Sequence, residues 1–254
     1  MKKNLLLLSL AALLGVSACK TQEVAGDAIP TRVGEITIQP ILHGSFAMNW
    51  NNKTILVDPY GGGDLYKGLP APDMVLITDI HGDHLDLKTL ETLNLHKATI
   101  IAPQAVVDML PETMRSKAID LANGEDTTTM NVRVIAVPMY NLPETPDSRH
   151  PKGRGNGYIL DFKGRTVYIS GDTEDIPEME NLKGIDVAFV CMNLPFTMDV
   201  DQAAAAVLKF KPRVVYPYHY RGQSGLSDVQ AFKKKVDAGN QKIDVRLRKW
   251  YPTE

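Results

Sequence analysis

Long apolar runs are scarce in this chain of 254 residues. The run Leu5 to Leu14 near the start falls well short of the ~20 apolar residues a permanent membrane-crossing helix requires. Charge of one sign is also lacking. Lys and Arg number 28 against 30 Asp and Glu, for a net −2, and like charges form no block. That balance offers no basic surface and gives no argument for a nucleic-acid partner. Internal repeats and low-complexity segments are absent. Cysteine is nearly so: there are two, Cys19 and Cys191, too few for a disulfide framework.

What is present begins with a basic start, Met1-Lys2-Lys3, followed by the short apolar stretch. That order is the secretory signal pattern. Val16-Ser17-Ala18-Cys19 resembles the bacterial lipobox. The resemblance implies a signal peptide over 1–18, cleavage before Cys19, acylation of its thiol, and a lipid-anchored protein of the cell envelope, on the inner or the outer membrane. The other reading is an ordinary signal peptide with a chance cysteine. Residues 19–32 hold few apolar side chains and read as a tether. Residues 33–254 form one domain. Once Cys19 is acylated, Cys191 has no partner, so core packing and a bound metal must hold the fold. Cys191 closes the apolar run Val187-Ala188-Phe189-Val190 and reads as a buried, inert strand residue.

Strand-length apolar or alternating runs come first: Glu35 to Ile41, Ser45 to Trp50 and Lys53 to Asp58, with Asn51-Asn52 as a hairpin turn. Met74 to Ile77 is a short, fully apolar strand. Asp86 caps a helix running to Leu95, and Pro103 opens another through Leu110. Strands follow at Asn131–Val137, Gly157–Phe162 and Arg165–Ser170, the last two joined by Lys163-Gly164. Then come a strand to Cys191, a helix over Asp201–Phe210 capped by Asp201, a strand Arg213–Tyr216, a helix Ser227–Val236 and a last strand Ile243–Leu247. Hairpins lead each half and strand–helix alternation follows, which predicts mixed sheets covered by helices.

Chemistry concentrates directly after one buried strand, in Thr78-Asp79-Ile80-His81-Gly82-Asp83-His84. Two imidazoles and two carboxylates crowded together are costly unless a cation lies among them. Neutral imidazole nitrogen and ionised carboxylate oxygen both suit zinc or iron. The bland alternative is a polar surface loop.

This segment resembles the His-x-His-x-Asp-His motif of the metallo-β-lactamase superfamily, with Asp79 in place of the first His. Leu42-His43-Gly44-Ser45-Phe46 and Ile55-Leu56-Val57-Asp58-Pro59 resemble its opening strands. Tyr168-Ile169-Ser170-Gly171-Asp172-Thr173 resembles the strand before its bridging aspartate, and Val215-Tyr216-Pro217-Tyr218-His219 the strand before its last histidine. The subgroup it is most similar to contains L-ascorbate-6-phosphate lactonase. The resemblance implies an α/β fold, an αββα sandwich of two mixed β-sheets flanked by helices, with the site along one edge. It implies one ion held by Asp83, His84 and His219, and a second held by His81 and Asp79, with Asp172 bridging. Zinc is the expected metal, one or two ions, with manganese or iron as alternatives. Activity is then hydrolysis of an ester, lactone or phosphodiester in a small-molecule substrate by a metal-bound hydroxide, with Asp83 and His84 as catalytic residues.

Two departures shape the expectation. Asp79 replaces an imidazole, and Asn141 stands where a further His is usual, so the site is poorer in imidazole than the family pattern. His150 opens the loop His150-Pro151-Lys152-Gly153-Arg154-Gly155 and is a possible replacement ligand. Lys152, Arg154 and Asn141 are expected near substrate. His43 reads as a hydrogen-bonding residue beneath the site and Asp58 as a carboxylate orienting a ligand histidine. The competing function is a non-catalytic or single-metal binding lipoprotein, which Asp79 and Asn141 favour.

Overall fold

In this computed structural model, residues 27–145 and 147–251 are described. The expected signal peptide and Cys19 lie outside them. No helix among the described residues is long and apolar enough to cross a membrane.

The first sheet carries, in order, β1 (Asp27–Pro30), β2 (Glu35–Leu42), β3 (Ser45–Trp50), β4 (Lys53–Val57), β5 (Met74–Leu76), β6 (Thr99–Ala102) and β7 (Ala118–Asp120). Its hairpin half is antiparallel, and β4 to β7 run parallel. The second sheet is built from β8 (Asp126–Thr129), β9 (Val132–Met139), β10 (Gly155–Asp161), β11 (Thr166–Ile169), β12 (Val187–Cys191) and β13 (Val214–Tyr218). A small hairpin of β14 (Arg221–Gly222) and β15 (Gly225–Leu226) follows, and β16 (Asp244–Val245) closes the second sheet beside β13. Both sheets are mixed, as the sequence pattern predicts.

Side-chain alternation sets the layers. In β3 to β5, Phe46, Met48, Ile55, Val57, Met74 and Leu76 face the second sheet. Their neighbours Ala47, Leu56 and Val75 face outward into a second apolar cluster with Leu90, Val106 and Leu110. That outer face is covered by α1 (Leu87–Thr92), α2 (Gln104–Val107) and α3 (Glu112–Arg115). Beyond the second sheet lie α4 (Pro177–Glu180), α5 (Val200–Phe210) and α6 (Val229–Gly239), which bury Met179, Phe210 and Phe232. The result is the expected αββα sandwich. Its centre is aromatic: Phe46 stacks on Phe189 at 4.1 Å between ring centroids, and Phe189 on Tyr216 at 5.1 Å.

Turn chemistry follows the sequence at Asn51-Asn52 and Lys163-Gly164, all at positive φ. Other expectations shift. The stretch read as a tether contributes β1, which pairs with β2 from Asp27 to Pro30. Three of its four residues are polar, small or proline, so no apolar run announces it. The cap of α5 is Asp199, not Asp201: its side chain accepts from Gln202 N while Gln202 reaches back, a reciprocal capping box. Asp201 lies two residues beyond the cap, inside the first turn, where its side chain does not take that place. The helix read from Pro103 to Leu110 is a single turn, and β7, β8, β14 and β15 went unread because they are short and polar.

Asp73 ties the edge of this framework. Its carboxylate accepts from Thr54 N at 3.0 Å and from Lys53 and Lys97 Nζ at 3.1 Å each. Burial opposes its ionisation, but these donors win and hold its pKa below the ordinary value. Its contribution to stability is therefore full above a pH of about 4 and is lost as pH falls through the lower folded value. Asp73→Asn is expected to cost ~1–3 kcal/mol at neutral pH and to flatten the acid limb of a stability–pH curve. Identical acid limbs in denaturant titrations of the two proteins would refute this.

Candidate metal centre

The loops that follow β5, β11 and β13 all open at the carboxyl ends of parallel strands, where α/β sheets hold ligands. After β5, the chain turns on itself, with His84 N and Leu85 N both donating to His81 O. The turn brings His81, Asp83 and His84 to one side. Asp172 follows β11 across Gly171, and His219 follows β13 directly. His43 sits in the β2–β3 turn. The chain folds locally this way at some cost: His43, Asp58 and His219 all adopt positive φ, which non-glycine residues avoid and functional sites tolerate.

Three donor groups converge: His84, Asp172 and His219; Asp79, His81 and His150; and His43, Asp83 and His219. His84 and His219 point their Nε2 atoms at each other, 3.1 Å apart. Asp172 joins the first two groups. Its Oδ1 lies 3.2 Å from His219 Nε2, and its Oδ2 lies 3.3 Å from both His84 Nε2 and His150 Nε2. His84, His150 and His219 are wholly buried and Asp172 nearly so.

The tautomers are set from behind. Asp58 is fully buried and accepts from Thr78 N at 2.8 Å, Thr78 Oγ1 at 2.7 Å and His84 Nδ1 at 2.8 Å. His84 Nδ1 therefore carries a proton, which leaves Nε2 as the ring atom that faces Asp172. Asn141 Oδ1 accepts from His150 N at 2.8 Å and Nδ1 at 3.1 Å, which does the same for His150. The Asn141 amide nitrogen is fixed by Phe196 O at 2.8 Å and Glu174 Oε1 at 3.2 Å. On the third group, Tyr251 Oη accepts from Arg221 N at 3.1 Å and donates to His43 Nδ1 at 2.7 Å. His43 Nε2 then donates to Asp83 Oδ2 at 3.2 Å. Burial lowers the His43 pKa, so this ring is a neutral link between tyrosine and carboxylate.

The donor set fits a cation. Buried His150 Nε2, His81 Nδ1 and Asp172 Oδ1 have no hydrogen-bond partner among the described residues. His81 Nδ1 lies 2.6 Å from Asp79 Oδ2 without hydrogen-bond alignment, as two lone-pair atoms aimed at a shared centre would. Burial works against ionisation of Asp79, but His81, His84 and Arg154 push its pKa down to about 2. Burial likewise opposes ionised Asp83 and Asp172, and the surrounding imidazoles hold both well below the carboxylate range. Ionised carboxylate oxygens gathered with imidazole nitrogens in a buried pocket are the ligand chemistry of a divalent transition metal.

The expected ligands Asp79, His81, Asp83, His84, Asp172, His219 and His150 therefore lie together. Of the expected substrate contacts, Asn141 and Arg154 lie directly against these ligands and Lys152 lies on the surface. Asn141 orients His150 instead of facing outward. Lys152 is exposed and pairs with Glu144 at 3.3 Å and Glu178 at 3.1 Å. Arg154 pairs with Asp79. The sequence also left Tyr251 unread, since nothing near it in the chain marks it as part of a site. Cys191 is buried as expected, and burial pushes its thiol up to about 11, so it is inert at neutral pH.

Asn141 gives a direct check. Asn141→Leu removes the acceptor that fixes the His150 tautomer. Affinity of the Asp79–His81–His150 position is expected to fall 10–100-fold, with the His84 position little changed. Calorimetric titration of metal-stripped protein measures both; equal loss at both positions would contradict the assignment.

Known proteins are similar to this chain in sequence and in fold. The pattern of a β-lactamase superfamily domain matches residues 53–220. A UPF0173 metal-dependent hydrolase from Pyrococcus abyssi is 32% identical over 205 residues, covering 76% of this chain and 89% of the relative. One from Thermodesulfovibrio yellowstonii is 29% identical over 233 residues, covering 82% and 86%. Among solved structures, a candidate metal-dependent hydrolase from Parabacteroides distasonis aligns with a TM-score of 0.79 at 40% identity, covering 89% of this chain and 99% of that one. Igni18, a metallo hydrolase from Ignicoccus hospitalis, shares the fold with a TM-score of 0.71 at 24% identity, covering 84% and 94%. With this match in sequence, in fold and in converging His and Asp donors, the chain belongs to the β-lactamase superfamily and is a metal-dependent hydrolase.

Proposed function

We propose that this protein binds two divalent ions, zinc foremost, and hydrolyses an ester-type bond in a small anionic substrate while anchored to the cell envelope through Cys19. The observation that carries the two-ion reading is Asp172, whose two oxygens reach the His84–His219 group and His150 at once. His84, Asp83 and His219 would hold one ion, and Asp79, His81 and His150 the other. When bound, the ions lower the pKa of water and polarise a carbonyl or phosphoryl oxygen.

The chain's own residues supply the rest. Side chains of Asp83 and His81 are 29% and 23% exposed, while the other ligands are at most 4% exposed. Substrate therefore meets the centre across these two. His43 holds Asp83 with one oxygen engaged, so Asp83 can orient a water at the mouth. Arg149, next in sequence to His150, is exposed and lies 4.4 Å over the Phe196 ring. Leu142 and Leu194 are exposed nearby in sequence to Asn141 and Phe196. A cation on an apolar rim supports an anionic ester, either a phosphodiester or a phosphorylated lactone. The non-catalytic reading rested on missing imidazole; His150 supplies one, which removes its main support.

Metal-stripped protein should be inactive on bis(p-nitrophenyl) phosphate, p-nitrophenyl acetate and a lactone panel, and zinc or manganese should restore turnover on at least one. No turnover on any of them with two ions bound would defeat the hydrolytic reading of this site. For the anchor, wild type expressed from the full gene is expected in the membrane fraction and Cys19→Ser in the soluble fraction. Equal fractionation would refute acylation.

A further inference from the structure

Asp79 is the departure from the family's ligand pattern, and it has a partner of its own. Arg154 donates from Nε to Asp79 Oδ1 at 3.1 Å and from its terminal nitrogen to Oδ2 at 3.0 Å, a two-pronged grip on one carboxylate. The same terminal nitrogen donates to Arg149 O, which fixes the fork in place. Asp79 is fully buried and Arg154 is 21% exposed by side chain. The backbone is built for this contact. Asn156 N donates to Thr78 O at 2.9 Å, docking the start of β10 on the Asp79 loop. A Cβ on Gly155 would sit 2.9 Å from Thr78 O, so only glycine allows this approach immediately after Arg154.

We infer that Arg154 is a positioning residue that makes Asp79 act as a one-oxygen, charge-compensated donor, so that the Asp79–Arg154 pair replaces the neutral imidazole at the second metal position. An aspartate in place of histidine adds one negative charge and a second donor oxygen. Either change favours harder cations over zinc. The guanidinium offsets the charge and takes one lone pair on each oxygen, while the other side of Oδ2 faces His81 Nδ1, 2.6 Å away. The second position is thereby kept close in net charge, and in preference for zinc, to one built with a neutral imidazole in place of Asp79.

This inference rests on the two-ion reading above, and the test separates them. Titrate metal-stripped full-length protein with zinc and with manganese by calorimetry, and follow cobalt by its visible spectrum. Two ions in wild type support the two-ion reading; none or one would remove both proposals. Given two ions, Arg154→Gln is expected to raise the manganese-to-zinc affinity ratio of the second ion at least tenfold while the first ion is unchanged. Arg154→Lys, which keeps charge without the fork, should fall between. Asp79→Asn strands the guanidinium beside a cation and should weaken the second ion at least a hundredfold. Adding Arg154→Gln to Asp79→Asn should recover at least tenfold of that loss. An unchanged ratio in Arg154→Gln, or no recovery in the double variant, overturns the inference.

Discussion

Asp172→Asn is expected to abolish turnover by on the order of a thousandfold or more and to leave neither ion tightly bound. The substitution keeps volume, so a change in packing is not the cause. What it removes is charge and one oxygen from a side chain whose Oδ1 serves His219 and whose Oδ2 serves His84 and His150. An amide at that point presents N–H either to His219 or to His84 and His150, where an ionised oxygen stood. Stability gives a readout independent of activity. At free metal a hundredfold above Kd, each site that binds only the folded state adds ~2.7 kcal/mol. Wild type should therefore lose several degrees of melting temperature on chelation, and Asp172→Asn should lose almost none. If the variant retains two ions by elemental analysis, Asp172 does not join the two positions.

Asp172 was legible in the sequence because it ends an apolar strand, as His219 does, and because strands written in apolar runs fix where such ends fall. The Asp79-to-His84 cluster was legible for the same reason. Asp58 and His43 were legible as supporting residues from the strand motifs that carry them; the other supporting contacts were not. Asn141 meets His150 across the β9–β10 connection, Arg154 meets Asp79 from a different sheet, and Tyr251 reaches His43 from the far end of the chain. A single sequence carries no sign of which polar groups meet in space. It therefore invites the default reading of a basic loop as a substrate contact. The short strands failed for a related reason. Asp27–Pro30 and Asp126–Thr129 are held by ladder hydrogen bonds to neighbours that are strongly patterned, β2 and β9, so their own side chains need not be apolar. The folded context supplies what local propensity lacks.

Asp58 should show the largest effect on folding. Asp58→Ala is expected to destabilise the protein by ~3–5 kcal/mol even without metal, because three buried donors lose their acceptor at once. The backbone adds to this: Asp58 holds φ 42°, a region aspartate and asparagine tolerate better than alanine. Asp58→Asn separates the two contributions. Asparagine suits the backbone and can still accept from Thr78, but it cannot supply a carboxylate to the His84 ring. Its stability should stay near wild type, while zinc affinity at the His84 position falls 10–100-fold through loss of the charged acceptor that fixes the Nδ1–H tautomer. The pair of variants thus distinguishes a residue that only fills a buried gap from one that aims a ligand. A gap-filler predicts that asparagine is neutral in both measurements. Zinc titration of Asp58→Asn beside thermal unfolding of Asp58→Ala decides it: wild-type affinity in the first would remove Asp58 from the metal centre, and a melting temperature within a degree or two of wild type in the second would remove it from the fold's stabilising network.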